Sequence, residues 1–82
     1  PNVSQEWSGI SRLCMIHKNV PAMLTRIMGV LSDENINVEN MTNKSKGDYA
    51  YTMVDVDTRI TDKVADELRT ISNMIRVRVL NH

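Results

Sequence analysis

The stretch that decides the fold runs Arg12-Leu13-Cys14-Met15-Ile16-His17-Lys18-Asn19-Val20-Pro21-Ala22 and continues as far as Leu31. Its first half, Arg12 to His17, reads as a strand with apolar groups on both faces. Lys18-Asn19-Val20 is a loop, and Pro21 suits the first turn of a helix, where a missing N–H leaves nothing unpaired. Leu24, Ile27, Met28 and Leu31 then recur at the spacing of one helical face. Asn35 is placed to stop that helix in the left-handed conformation.

Working outward, residues 36–44 read as a second strand, with Ile36 and Val38 on one side and Asn37 and Glu39 on the other. The alternation fails over Asn40-Met41-Thr42-Asn43, which a bulge explains. Lys46-Gly47-Asp48 is a hairpin turn. Residues 49–57 alternate most cleanly, with Ala50, Thr52, Val54 and Val56 opposed to Tyr49, Tyr51, Met53, Asp55 and Asp57. Thr61 is placed to cap a second helix that begins at Asp62. Val64, Ala65, Leu68 and Ile71 form its stripe, and Asn73 ends it. A last strand sets Ile75, Val77 and Val79 against Arg76 and Arg78. The order βαββαβ predicts an α+β, ferredoxin-like fold: a four-stranded antiparallel sheet with two helices on one face.

The 82 residues make one domain, 41% hydrophobic, with ten basic and ten acidic side chains in balance. A neutral chain lacks the electrostatic footprint of a nucleic-acid or membrane-surface binder. A zwitterionic small molecule or another protein suits it better. No apolar run is long enough to span a bilayer. Cys14 is the sole cysteine, which suggests a reducing, cytoplasmic setting. Pro1 in place of Met, and the polar residues 1–10, read as a linker remnant cut from something longer, leaving 11–81 as the domain. Trp7 is the exception within that linker, placed to lie against the domain or its missing neighbour. His82 reads either as native or as the stub of a tag.

Enzyme signatures are missing. Gly9, Gly29 and Gly47 are scattered, so there is no phosphate loop, and Cys14, His17 and His82 have no metal-site spacing. No catalytic residue, metal or cofactor is expected in this segment. Gly29, inside the first helix, costs roughly 1 kcal/mol against alanine, and points to close packing on the sheet or against another helix. His17 to Ala22 joins the first strand to the first helix, whose unpaired N–H groups suit a carboxylate. An asparagine amide there offers a donor for the carboxylate and an acceptor for an ammonium. The plainer reading is that Asn19 caps the helix and His17 ends a strand. Lys46-Gly47-Asp48-Tyr49-Ala50-Tyr51 is also similar to an RNA-recognition signature on the same βαββαβ order. However, Asp48 is inserted, and the first strand has no stacking aromatic.

The pattern from Arg12 to Leu80 resembles the ACT domain, an amino-acid-binding module that works at subunit interfaces. The His17-x-Asn19-x-Pro21 loop, Asn35-Ile36-Asn37-Val38 and Pro1-Asn2-Val3-Ser4 resemble the C-terminal regulatory domain of the D-3-phosphoglycerate dehydrogenase family. The resemblance implies a homodimer through the second strand and first helix, with a continuous sheet running through both copies. It implies L-serine as a feedback inhibitor in the seam, held by His17 and Asn19 of one copy and Asn37 of the other. It also implies NAD as the cofactor of the larger dehydrogenase. A dimerisation module without a ligand is the alternative. Two positions depart from the family: Ala22 and Asn35 stand where it usually has glycine.

Overall fold

The computed structural model describes residues 9–81. Residues 1–8 and 82 lie outside these, and with them most of the expected linker, Trp7 and His82. The elements are β1 (Ser11–Lys18), α1 (Met23–Asp33), β2 (Val38–Lys46), β3 (Tyr49–Val56), α2 (Asp62–Arg69) and β4 (Met74–Asn81). The strands form one sheet in the order β2-β3-β1-β4, with every neighbouring pair antiparallel. This is the expected α+β, ferredoxin-like arrangement. Each helix crosses over between strands that are not adjacent, so β1 and β3 fill the centre and β2 and β4 become the edges.

The two periodicities explain the packing. Leu13 and Met15 of β1 and Ala50, Val54 and Val56 of β3 lie on the buried side of the pleat, and Val77 of β4 joins them. Ile27 and Leu31 of α1 and Val64, Ala65 and Leu68 of α2 close over that face. The opposite face carries Arg12, Tyr49, Tyr51 and Asp55. There Arg12 grips the buried Asp55 carboxylate through two bonds, of 2.7 and 3.0 Å. The pairing holds the guanidinium above its ordinary range.

The helix ends follow from their residues. Thr61 accepts from the Val64 N–H at 3.4 Å and starts α2, with Asp62 in the first turn and Arg69 in the last. Asn35 is left-handed at φ 59°. Its N–H bonds to the Ser32 carbonyl, and the Ile36 N–H bonds to that of Leu31, the Schellman closure expected of a glycine-like residue. Gly47, at φ 64°, opens the two-residue turn between β2 and β3. At the start of the fold, Ile10 donates to the Val56 carbonyl at 2.7 Å. Gly9 runs so close to β3 that a Cβ there would lie 2.2 Å from the same oxygen.

Some expectations are displaced. Helix α1 begins at Met23 rather than at Pro21, because Ala22 is left-handed (φ 74°) and keeps the proline in the preceding turn. The buried stripe of α1 accordingly runs Met23, Ile27, Leu31, and Leu24 stands at its flank. Strand β2 starts two residues later than the alternation suggested. Its irregularity falls at Glu39, between the pairs Val38–Val56 and Asn40–Asp55. Ile75 is 53% exposed rather than inward, because the β1–β4 register slips between Ile16 and His17 and Met74 takes the inward place. A Cβ on Gly29 would meet nothing within 4 Å among the described residues, so packing among them does not account for that glycine.

Candidate functional site

The loop after β1 is held on three sides by backbone bonds. Lys18 donates to the Asn73 carbonyl at 2.9 Å, Asn19 to that of Asp48 at 2.8 Å, and Val20 back to that of Lys18 at 2.9 Å. The loop therefore sits against the β2–β3 turn. The Asn19 side chain continues the contact, donating to the Gly47 carbonyl at 3.2 Å and accepting from the Ser45 hydroxyl at 3.5 Å. After Pro21 the chain enters α1 through its N-cap, Ala22, and no side chain of the described residues caps that end. Its first N–H groups carry the partial positive charge that favours an anion.

His17 is on the inward parity of β1 with Leu13 and Met15, and is only 2% exposed. Its Nδ1 lies 2.9 Å from the Lys18 carbonyl and its Nε2 lies 2.8 Å from Thr52 Oγ1. Thr52, fully buried on β3, donates onward to Asn43 Oδ1 of β2 at 2.7 Å. A cavity of about 190 Å³ opens between this chain of polar groups and the helix start, lined by His17, Asn19, Pro21, Met23 and Asn43 among others.

Asn37 stands apart from these residues, just before β2 begins. Its amide donates to Asp57 Oδ2 at 3.1 Å, and its N–H donates to Oδ1 at 3.3 Å. It lines a second cavity of about 380 Å³, between β2 and the end of α1, with Met28, Ser32 and Asn35. Within one chain, His17 and Asn19 are brought together at one end of the β2 edge, and Asn37 lies at the other. Thr52 and Asn43 were missed in the sequence. The signal for Thr52 was present: a polar residue on the inward parity of β3 needs a partner, as inward His17 does.

Among the described residues no group of His, Cys, Asp or Glu is arranged to hold a metal. Among these residues, too, no helix is long and apolar enough to cross a membrane.

A family model described as the AHAS small subunit-like ACT domain matches residues 13–76. The chain belongs to the ACT domain family. This ACT domain is 32% identical over 81 residues to D-3-phosphoglycerate dehydrogenase of Haemophilus influenzae, covering 98% of this chain and 20% of that protein. To the Escherichia coli K12 enzyme of the same name it is 27% identical over 82 residues, again 98% and 20%. To D-3-phosphoglycerate dehydrogenase 2 of Saccharomyces cerevisiae it is 33% identical over 72 residues, 84% and 15%. The chain thus spans about a fifth or less of the length of these relatives. The crystal structure of the ACT domain from Chlorobium tepidum GTP pyrophosphokinase superposes with a TM-score of 0.72 at 19% identity, over 85% of this chain and 95% of that one. Protein BT0572 from Bacteroides thetaiotaomicron gives 0.65 at 22%, over 90% and 49%. At such identities these two likenesses concern the fold.

Proposed function

We propose that this ACT domain is the effector-binding regulatory module of a D-3-phosphoglycerate dehydrogenase and that it takes L-serine in a seam between two copies. The carrying observation is the position of the two asparagines along one edge strand. Asn37 immediately precedes β2, and Asn19 contacts Ser45 and Gly47 at its far end. A two-fold axis that pairs β2 antiparallel with a second β2 brings each copy's Asn37 next to the other's Asn19. Strand β2 is an edge with one side unpaired among the described residues, which suits it to such pairing. The cavities at its two ends would then merge across the seam.

In this reading the uncapped start of α1 receives the serine carboxylate, and the asparagine amides hold the ammonium and hydroxyl groups. A zwitterion needs no net charge from its site, and none of the proposed contacts is a charged side chain. His17 supports the loop from beneath. The NAD and the oxidation chemistry belong to the remainder of such a dehydrogenase. A ligand that touches both copies favours the dimer by mass action, and that linkage is the route to regulation.

Calorimetry with L-serine on the wild-type chain, Asn19→Ala and Asn37→Ala tests the reading. Each loss of a buried hydrogen bond, about 0.5–1.5 kcal/mol, is expected to weaken binding severalfold to about tenfold while the fold survives. Equal affinity in all three removes these residues from the site. A dimer that binds no amino acid leaves a dimerisation module instead.

A further inference from the structure

We propose that Asn43 contacts the amino-acid effector directly and that His17 acts on the effector through it, by way of Thr52. The proposal rests on the reading of this cavity as an amino-acid seat and adds to it a contact residue and a positioning path. His17 and Asn43 both line the cavity, yet they differ in what they can offer it. The histidine ring is buried, and both of its nitrogens are already engaged, with the Lys18 carbonyl and the Thr52 hydroxyl. Asn19 gives one of its two amide protons to Gly47 and accepts from Ser45 at 3.5 Å, which leaves one amide proton for a ligand. Asn43 is exposed on the edge strand, and among the described residues only its Oδ1 is engaged, by Thr52 at 2.7 Å.

The proton count explains how the ring steers the amide. A carbonyl only accepts, so Nδ1 carries a proton toward Lys18. The Thr52 hydroxyl has one proton to give. Given to Asn43 Oδ1, it must take an Nε2–H in return, which requires a doubly protonated ring, and it leaves the Asn43 NH₂ for a ligand. Given to the bare Nε2 of a neutral ring, it leaves the Thr52 oxygen to accept from the Asn43 NH₂, so the amide turns and offers its oxygen instead. In either arrangement one end of the amide is held from the interior and the other is offered outward. Over a neutral ring the end offered is the oxygen, suited to an ammonium, and over a doubly protonated ring it is the NH₂, suited to a carboxylate. His17 and Thr52 are therefore positioning residues, and Asn43 is the contact.

The test is calorimetry of L-serine, and of the other common amino acids, on the full chain as wild type, Asn43→Ala, Thr52→Val, Thr52→Ser and the double variant N43A/T52V. Thermal melts establish that each is folded. Asn43→Ala, on an exposed edge, is expected to keep the fold and lose affinity about tenfold, because a bond to a charged group is lost. Thr52→Val is expected to lose a similar factor, and Thr52→Ser to retain wild-type binding. The double variant is expected to bind no more weakly than Asn43→Ala alone, since both changes break one path. Undiminished binding by Asn43→Ala overturns the proposal while leaving the effector site standing, and so do losses in the double variant that simply multiply. Absence of binding by the wild type to every amino acid overturns the site itself, and this proposal with it.

Discussion

Replacing Ala22 with glycine removes an exposed methyl from a residue held at φ 74° and ψ −2° at the start of α1. The left-handed region costs an L-residue roughly 1–2 kcal/mol. Glycine escapes that cost but has about 0.4–1 kcal/mol more conformational freedom to lose from the unfolded chain. No packing is forfeited, because the side chain is exposed. The difference leaves Ala22→Gly more stable by roughly 0.5–1 kcal/mol. For a domain of this size that corresponds to a rise in melting temperature of about 2–8 °C. Circular-dichroism melts at one low protein concentration, without ligand, keep association from contributing. Ala22→Val, whose branched side chain tolerates the conformation less well, is expected to melt below wild type. An unchanged or lowered melting temperature for Ala22→Gly would refute the assignment of stored backbone strain at this position.

Gly29→Ala is the converse case: its Cβ meets nothing within 4 Å among the described residues, so the helix propensity gain of roughly 1 kcal/mol should appear in a chemical denaturation curve. Destabilisation there would mean that another surface approaches α1. Asn81→Ala removes the acceptor of the Ser11 hydroxyl and of the Ile60 N–H, the latter at 3.0 Å, and should cost about 1–3 kcal/mol of unfolding free energy. A neutral result would mean that solvent satisfies both groups. Glu34 is held below its ordinary 4.5 by a bond from Lys63, with Glu67 contributing. A depressed folded value gives stability that is present above the unfolded value and is lost as pH falls through the folded one. Carboxyl NMR titration of Lys63→Ala should return Glu34 toward 4.5, and an unmoved titration would discount the 2.8 Å ion pair.

Most of the fold was readable because the side-chain periods were clean. Ala50, Thr52, Val54 and Val56 alternate without a break, and all four are buried. Asn35 and Thr61 stand at helix ends for reasons local to their own chemistry. What was not readable depends on partners distant in the chain. Ile75 faces outward because of a register slip against His17, which its own neighbours do not announce. Pro21 looked like a first helical residue, and only the conformation of Ala22 moves the start to Met23. In the candidate site, His17 and Asn19 were visible as a motif, but their division of labour was not. It follows from His17 sharing the buried face with Thr52, and from the β2–β3 register, which sets Asn43 opposite Thr52.

Sedimentation equilibrium of the chain, with and without saturating L-serine, tests the central claim most directly, because an effector seated between two β2 edges must also act as a dimerisation ligand. The account predicts a monomer–dimer equilibrium that tightens with L-serine, by mass action, and tightens less in Asn19→Ala and Asn37→Ala. A chain that stays monomeric at high micromolar concentration in saturating L-serine would contradict it, as would a dimer constant that no amino acid shifts.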